Sequence, residues 1–130
     1  MLTPFIGLNK LYLPDWSSEL FKTYLVNGEY IRSNLKDEFS DGIAFTEGGN
    51  GYRYEWIPKD EIWLDLCEAT NELSFTLIHE LHERYLMGHN GMDYDSAHDA
   101  SNIAEMEARH NPEKVPQILA DEISNQVVEV

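Results

Sequence analysis

Cysteine is almost absent from this chain of 130 residues: Cys67 stands alone, so no internal disulfide can form, which agrees with a reducing compartment. Basic residues are scarce too. Nine Lys and Arg face 24 Asp and Glu, a formal charge of -15, and this argues against direct nucleic-acid binding, where Lys and Arg supply most of the affinity for phosphate. The same balance favours cations or basic proteins as partners. No apolar run reaches the roughly eighteen residues that a membrane-spanning helix needs. Met1 to Phe5 lacks the basic region and apolar stretch of a signal peptide, so the expected location is the cytoplasm. Internal repeats and low-complexity tracts are also missing.

What the chain does have is enough length to bury a core without staples, and it reads as a single domain over 1–130. Pro4, Gly7 and Pro14 suggest an extended arm over 1–16. Asp15 to Glu19 offers capping chemistry, and Leu20, Phe21, Tyr24 and Leu25 recur at helical spacing, which predicts a helix over 17–27 stopped by Asn27-Gly28. Residues 29–39 decide for neither class. A strand is expected over 42–46, a turn over Glu47-Gly48-Gly49-Asn50-Gly51, a strand over 52–57, a turn at Pro58-Lys59-Asp60, and a further strand over 61–66. In that last strand Ile62, Leu64 and Leu66 would face inward and Glu61, Trp63 and Asp65 outward. Pro112 and Pro116 break the chain before a last helix over 117–126, and the tail 127–130 frays or pairs. The expected class is α+β, a small antiparallel sheet packed on three to four helices.

The densest chemistry lies between Leu73 and Glu105. His79-Glu80-Leu81-His82-Glu83 carries four titratable side chains in five positions, and His98 follows fifteen residues after Glu83. On a helix, with about 100° per residue, His79 at zero puts Glu83 near 40°, Glu80 near 100° and His82 near 300°. Leu77, Ile78, Leu81 and Tyr85 then gather on the back. A solvated front would mix Lys with Glu; this one has no Lys. After the turn signal Gly88-His89-Asn90-Gly91, Asp93 caps a second helix with Asp95 in its first turn. Along that helix His98, Asn102, Glu105 and Arg109 form a polar stripe, beside a stripe of Ala97, Ala100, Ala104 and Ala108. Small residues let helices approach closely, and a short connection makes these two antiparallel neighbours, so His98 and Glu105 should meet His79 and Glu83.

Two donors four apart on one helix and one from a second segment make a three-ligand zinc site with an open position. In H-E-x-x-H metalloproteases the Glu after the first His is the general base for metal-bound water. Ile62 to Asp65, a loop, then Phe75 to Leu81 resembles the strand, loop and active-site helix of minimal zincins, over about a third of the chain. That resemblance implies His79 as ligand and Glu80 as base. The motif here is H-E-L-H-E, with Glu83 where the zincin pattern has its second His and His82 one place earlier. Either Glu83 replaces the imidazole, or His79 and His82 coordinate together while Glu83 supports them. The longer pattern of His79, Glu80, His82, Glu83, Arg84, Leu86, Met87, Gly91, Met92, Tyr94, Ala97, His98 and Glu105 also looks like that of a group of small uncharacterised bacterial and phage proteins. It brings no activity with it.

Two classes of function follow. One is a metal-dependent hydrolase in which Zn²⁺, or another divalent transition metal, is held by His79, His98 and either Glu83 or His82, with Glu105 and Asn102 in support. Its peptide or protein substrate rests on analogy with zincins and could add as a strand to 61–66 were that strand an exposed edge. The other is a non-enzymatic acidic binding protein, or inhibitor of a basic partner, in which the His/Glu cluster holds a structural metal or a polar network. A di-metal carboxylate site finds no Glu-x-x-His spacing in His79 to Glu83 to support it.

Overall fold

The computed structural model describes residues 7–35, 42 and 45–126. In chain order these form β1 (Leu11–Tyr12), β2 (Lys22–Val26), α1 (Gly28–Asn34), β3 (Gly48–Asn50), β4 (Glu61–Asp65), α2 (Leu73–Gly88), α3 (Tyr94–His110) and α4 (Val115–Asn125). Short 3-10 turns precede β2, α2 and α4. The sheet order is β1-β2-β4-β3, with β2 and β4 parallel and both outer pairs antiparallel. The fold is therefore α+β with a mixed sheet, not the all-antiparallel one expected. No helix among the described residues is long and apolar enough to cross a membrane.

The expected helix over 17–27 is instead a turn followed by β2. Ser17 does not open a helix; its hydroxyl donates to Leu13 O and accepts from Thr23 N, while the Thr23 hydroxyl donates to Trp16 O. Those bonds hold Lys22–Val26 extended beside β4, and a strand between two others gains a ladder on both edges that a helix there would forgo. The chain then turns into α1, where Asn27, expected as a stop, caps the start by accepting from Tyr30 N.

The second misreading lies between residues 47 and 57. The glycine-rich segment expected as a turn contains β3, and the segment expected as a strand over 52–57 is a series of turns in which Arg53 N and Tyr54 N donate to Asn50 O. A Cβ at Gly49 would lie 2.8 Å from the Tyr54 ring, so glycine here serves the close approach of an aromatic side chain to a strand. Of the expected strand over 42–46, residues 43 and 44 lie outside the described set, as do the tail 127–130 and residues 36–39 of the undecided stretch 29–39.

Strand β4 is correctly expected but central, with both faces covered. Ile62 and Leu64 pack with Leu77, Ile78 and Leu81 of α2, Phe21, and Leu119 of α4. Trp63 packs on the other face with Val26, Ile31, Phe45, Tyr54 and Ile57. Asp65 does not face solvent; it is buried against Arg32 at 3.1 Å and accepts from Cys67 N. Leu66, expected inward, is 46% exposed because the strand ends at Asp65. Helix α2 is covered nearly all round, with the sheet on its apolar side and α3 and α4 on its flanks. Asp93 caps α3 by accepting from Ser96 N at 2.8 Å, as its sequence suggests. Contacts of Glu72 with Arg109, His79 with Glu105 and Glu83 with His98 show that α2 and α3 run antiparallel. The buried seam is Ala97, Ser101 and Ala108, so Ser101 takes the place expected of Ala100.

Candidate metal centre

Helical spacing puts His79 and Glu83 one turn apart on α2, and α3 lays His98 across them. His79 Nε2 lies 3.2 Å from Glu83 Oε2 and 3.2 Å from His98 Nδ1, while His98 Nδ1 lies 3.1 Å from Glu83 Oε2. These three donor atoms are close enough to share one ion. Behind them, His79 Nδ1 donates to Glu105 Oε1 at 3.1 Å, and Arg109 holds the other oxygen of Glu105 while also pairing with Glu72. A carboxylate behind a ring fixes which nitrogen carries the hydrogen and so which one faces the centre.

Glu80 and Glu83 are both buried, and Asn50 of β3 donates to each of them at 3.1 Å. Burial, joined by the charge of Glu83, pushes the Glu80 carboxyl well above its ordinary range against the opposing pull of His79 and Asn50. For His79 burial works against the charged ring. The hydrogen bond to Glu83 and the charges of Glu80, Glu83 and Glu105 outweigh it, and the pKa rises to about 9. Without a metal, His79 is therefore an imidazolium between two carboxylates at neutral pH. Tyr94, the first residue of α3, brings its hydroxyl to 3.3 Å from His98 Nδ1, and burial raises its pKa so that it stays a phenol.

The centre opens into a cavity of about 370 Å³ lined by α2, α3, β3 and the turn after β3. Of the residues singled out in the sequence, His79, Glu80, Glu83, His98 and Glu105 line it together, and Asn102 sits at its exposed rim. His82 does not join them. It points to the opposite flank of α2, where Nδ1 lies 2.9 Å from Glu122 Oε2 of α4, so the alternative in which His79 and His82 coordinate together is corrected. His89 and His110 are exposed, as expected of residues at helix ends. The residues missed are Asn50 and Arg53. An asparagine inside a Gly-Gly-Asn-Gly run looks like turn chemistry, and only the fold shows its side chain directed at two buried acids. No protein-family model, curated protein or solved structure matches this chain.

Proposed function

We propose that this chain is a metal-dependent hydrolase in which His79, Glu83 and His98 hold a divalent transition metal and Glu80 activates its water. One observation carries the reading: three potential ligand atoms from two helices stand 3.1–3.2 Å apart on every side of a triangle. With Nδ1 of a neutral His79 donating to Glu105, Nε2 presents a lone pair to its two neighbours. A proton can relieve one side of such a triangle, whereas a cation relieves all three. His79, Glu83 and His98 would hold such an ion, and a site with three protein ligands leaves room for a water that the metal would make more acidic. Two imidazoles and a carboxylate suit zinc.

The zincin likeness supports the assignment of Glu80, which follows the first ligand and lines the cavity beside the ligands. The donor set differs from the zincin pattern in taking Glu83 as its second helical member. The substrate we assign is a peptide. Strand β4 is not an edge, so an added strand would lie along β3, which is the outer strand among the described residues and whose Gly48 and Gly49 line the cavity.

The test is elemental analysis of chain purified without added metal, followed by turnover of a mixed peptide library read by mass spectrometry. About one equivalent of metal is expected in both wild type and Glu80→Gln, with cleavage confined to wild type. Cleavage by the variant at the wild-type rate would remove the base from Glu80.

A second reading, a non-enzymatic acidic binding protein with a structural centre, is favoured by the Tyr94 hydroxyl, a candidate fourth donor 3.3 Å from His98 Nδ1. Structural zinc is closed by four protein ligands, whereas catalytic zinc keeps one solvent position. X-ray absorption and the optical spectrum of the Co²⁺ form distinguish the two by counting ligands from the chain.

A further inference from the structure

Among the residues lining the cavity, Arg53 is the one Lys or Arg. Its guanidinium carbon stands 4.3 Å from the centre of the Tyr94 ring and 4.7 Å from that of Tyr54. Ring faces take the flat side of a guanidinium and leave its N–H edge for an acceptor in the same plane. No carboxylate arrives among the described residues; the guanidinium donates instead to the Tyr94 hydroxyl. Arg53 Nε is buried without a partner, and the side chain makes no ion pair among the described residues. The other described arginines differ: Arg32 pairs with Asp65, Arg109 with Glu72 and Glu105, and Arg84 donates to Gln126 Oε1 and Lys59 O. In a chain with 24 acidic residues, an arginine left without a carboxylate inside a cavity needs a reason.

The backbone ties this arginine to the centre. Arg53 N donates to Asn50 O and to Asn50 Oδ1, and the amide nitrogen of the same Asn50 side chain holds Glu80 and Glu83. Tyr94, beneath the guanidinium, reaches His98 with its hydroxyl. Three of the cavity acids are engaged elsewhere: Glu105 with Arg109, and Glu80 and Glu83 with Asn50. Arg53 thus brings a guanidinium without a carboxylate partner into the same cavity as His79, Glu83 and His98.

We propose that Arg53 receives an anionic oxygen group, a carboxylate or a phosphate, carried by the same substrate that reaches the metal. This assignment names a substrate class for the hydrolase reading and rests on it. A planar guanidinium offers paired N–H groups that match either oxyanion, and its aromatic supports pre-orient it. Arg53 thereby selects substrates with an anionic end within cavity range of the reacting bond.

The experiment uses the zinc-loaded full chain and hydroxamates, whose chelating head takes the open metal position. Three tails of similar length are compared by calorimetry: propyl in butyrohydroxamate, a carboxylate in succinic monohydroxamate, and a phosphonate. The carboxylate or phosphonate tail is expected to tighten binding by about tenfold or more over propyl, the scale of a charge-assisted hydrogen bond in a partly buried site. The relative order of the two charged tails distinguishes carboxylate from phosphate as the natural group. Arg53→Met should abolish the preference while keeping zinc content and propyl affinity, and Arg53→Lys should restore part of it. Equal affinity of the zinc-loaded wild type for charged and neutral tails would overturn the proposal and leave the metal reading standing. Failure to load zinc, seen in elemental analysis before any hydroxamate is added, would overturn both.

Discussion

Glu105→Gln separates a metal centre from a purely polar network. The substitution keeps an oxygen that can accept from His79 Nδ1, so shape and hydrogen bond survive while the charge behind the ring is lost. Removing such an outer partner of a metal-bound imidazole costs roughly 10- to 100-fold in metal affinity, or about 1.4–2.8 kcal/mol. Glu105 belongs at the lower end of that range. Its side chain is 22% exposed and its second oxygen already answers Arg109 at 2.8 Å, so its charge is partly screened and partly shared. About tenfold is therefore expected, far less than for Glu83→Gln, which removes a donor atom outright. Glu105 also helps to hold a proton on metal-free His79, whose pKa is about 9. Metal must displace that proton, so part of the loss is offset at pH 7 and the full loss emerges above pH 9. The assay is competition for Zn²⁺ with a chromophoric chelator at fixed ionic strength, paired with urea unfolding in the presence of a strong chelator. Affinity unchanged at both pH values, with the effect confined to metal-free stability, would refute the metal-bound imidazole and support the network.

Two further outcomes follow from neighbouring residues. His82→Ala should leave the metal content unchanged and lower stability by about 1 kcal/mol through the lost contact with Glu122, read from the urea midpoint; loss of metal would return His82 to the donor set. Glu68 is raised from 4.5 to about 7, first by burial and then by Glu47, Glu72 and Asp65, against a hydrogen bond from Thr76. Between those values the folded chain binds more protons than the unfolded one, so Glu68 makes stability fall as pH rises from 4.5 to about 7, and level off above. Discounted for its partial exposure, the loss is about 1–2 kcal/mol. Glu68→Gln should remove that slope in urea midpoints at pH 5 and pH 8, and a slope equal to that of wild type would show that Glu68 is not its source.

The legible parts of the sequence were those in which local rules and tertiary packing agree. Helices α2 and α3 follow from apolar periodicity and the Asp93 cap, and the i, i+4 spacing of His79 and Glu83 needs only helical geometry. The small-residue stripe with a short connection correctly brings His98 and Glu105 across to them. The last helix is legible too, since Ile118, Leu119 and Ile123 recur with helical period, although it begins at Val115, ahead of Pro116 in its first turn. Lys22–Val26 was not legible, because Phe21, Tyr24 and Leu25 fit a helical stripe as well as a strand, and only pairing with β1 and β4 decides.

By itself, then, the sequence determined one helix face bearing His79 and Glu83 and a second bearing His98 and Glu105, because periodicity along a helix is a local property. Tertiary structure alone decided that Glu83 rather than His82 faces His98, since two residues one step apart differ by about 100° in direction and only the positions of α3 and α4 say which flank is which. It likewise decided that Asn50 meets Glu80 and Glu83 and that Arg53 lines the cavity beside them. Their placement depends on β3 pairing with β4 more than ten residues away, a long-range choice that no short window of sequence encodes.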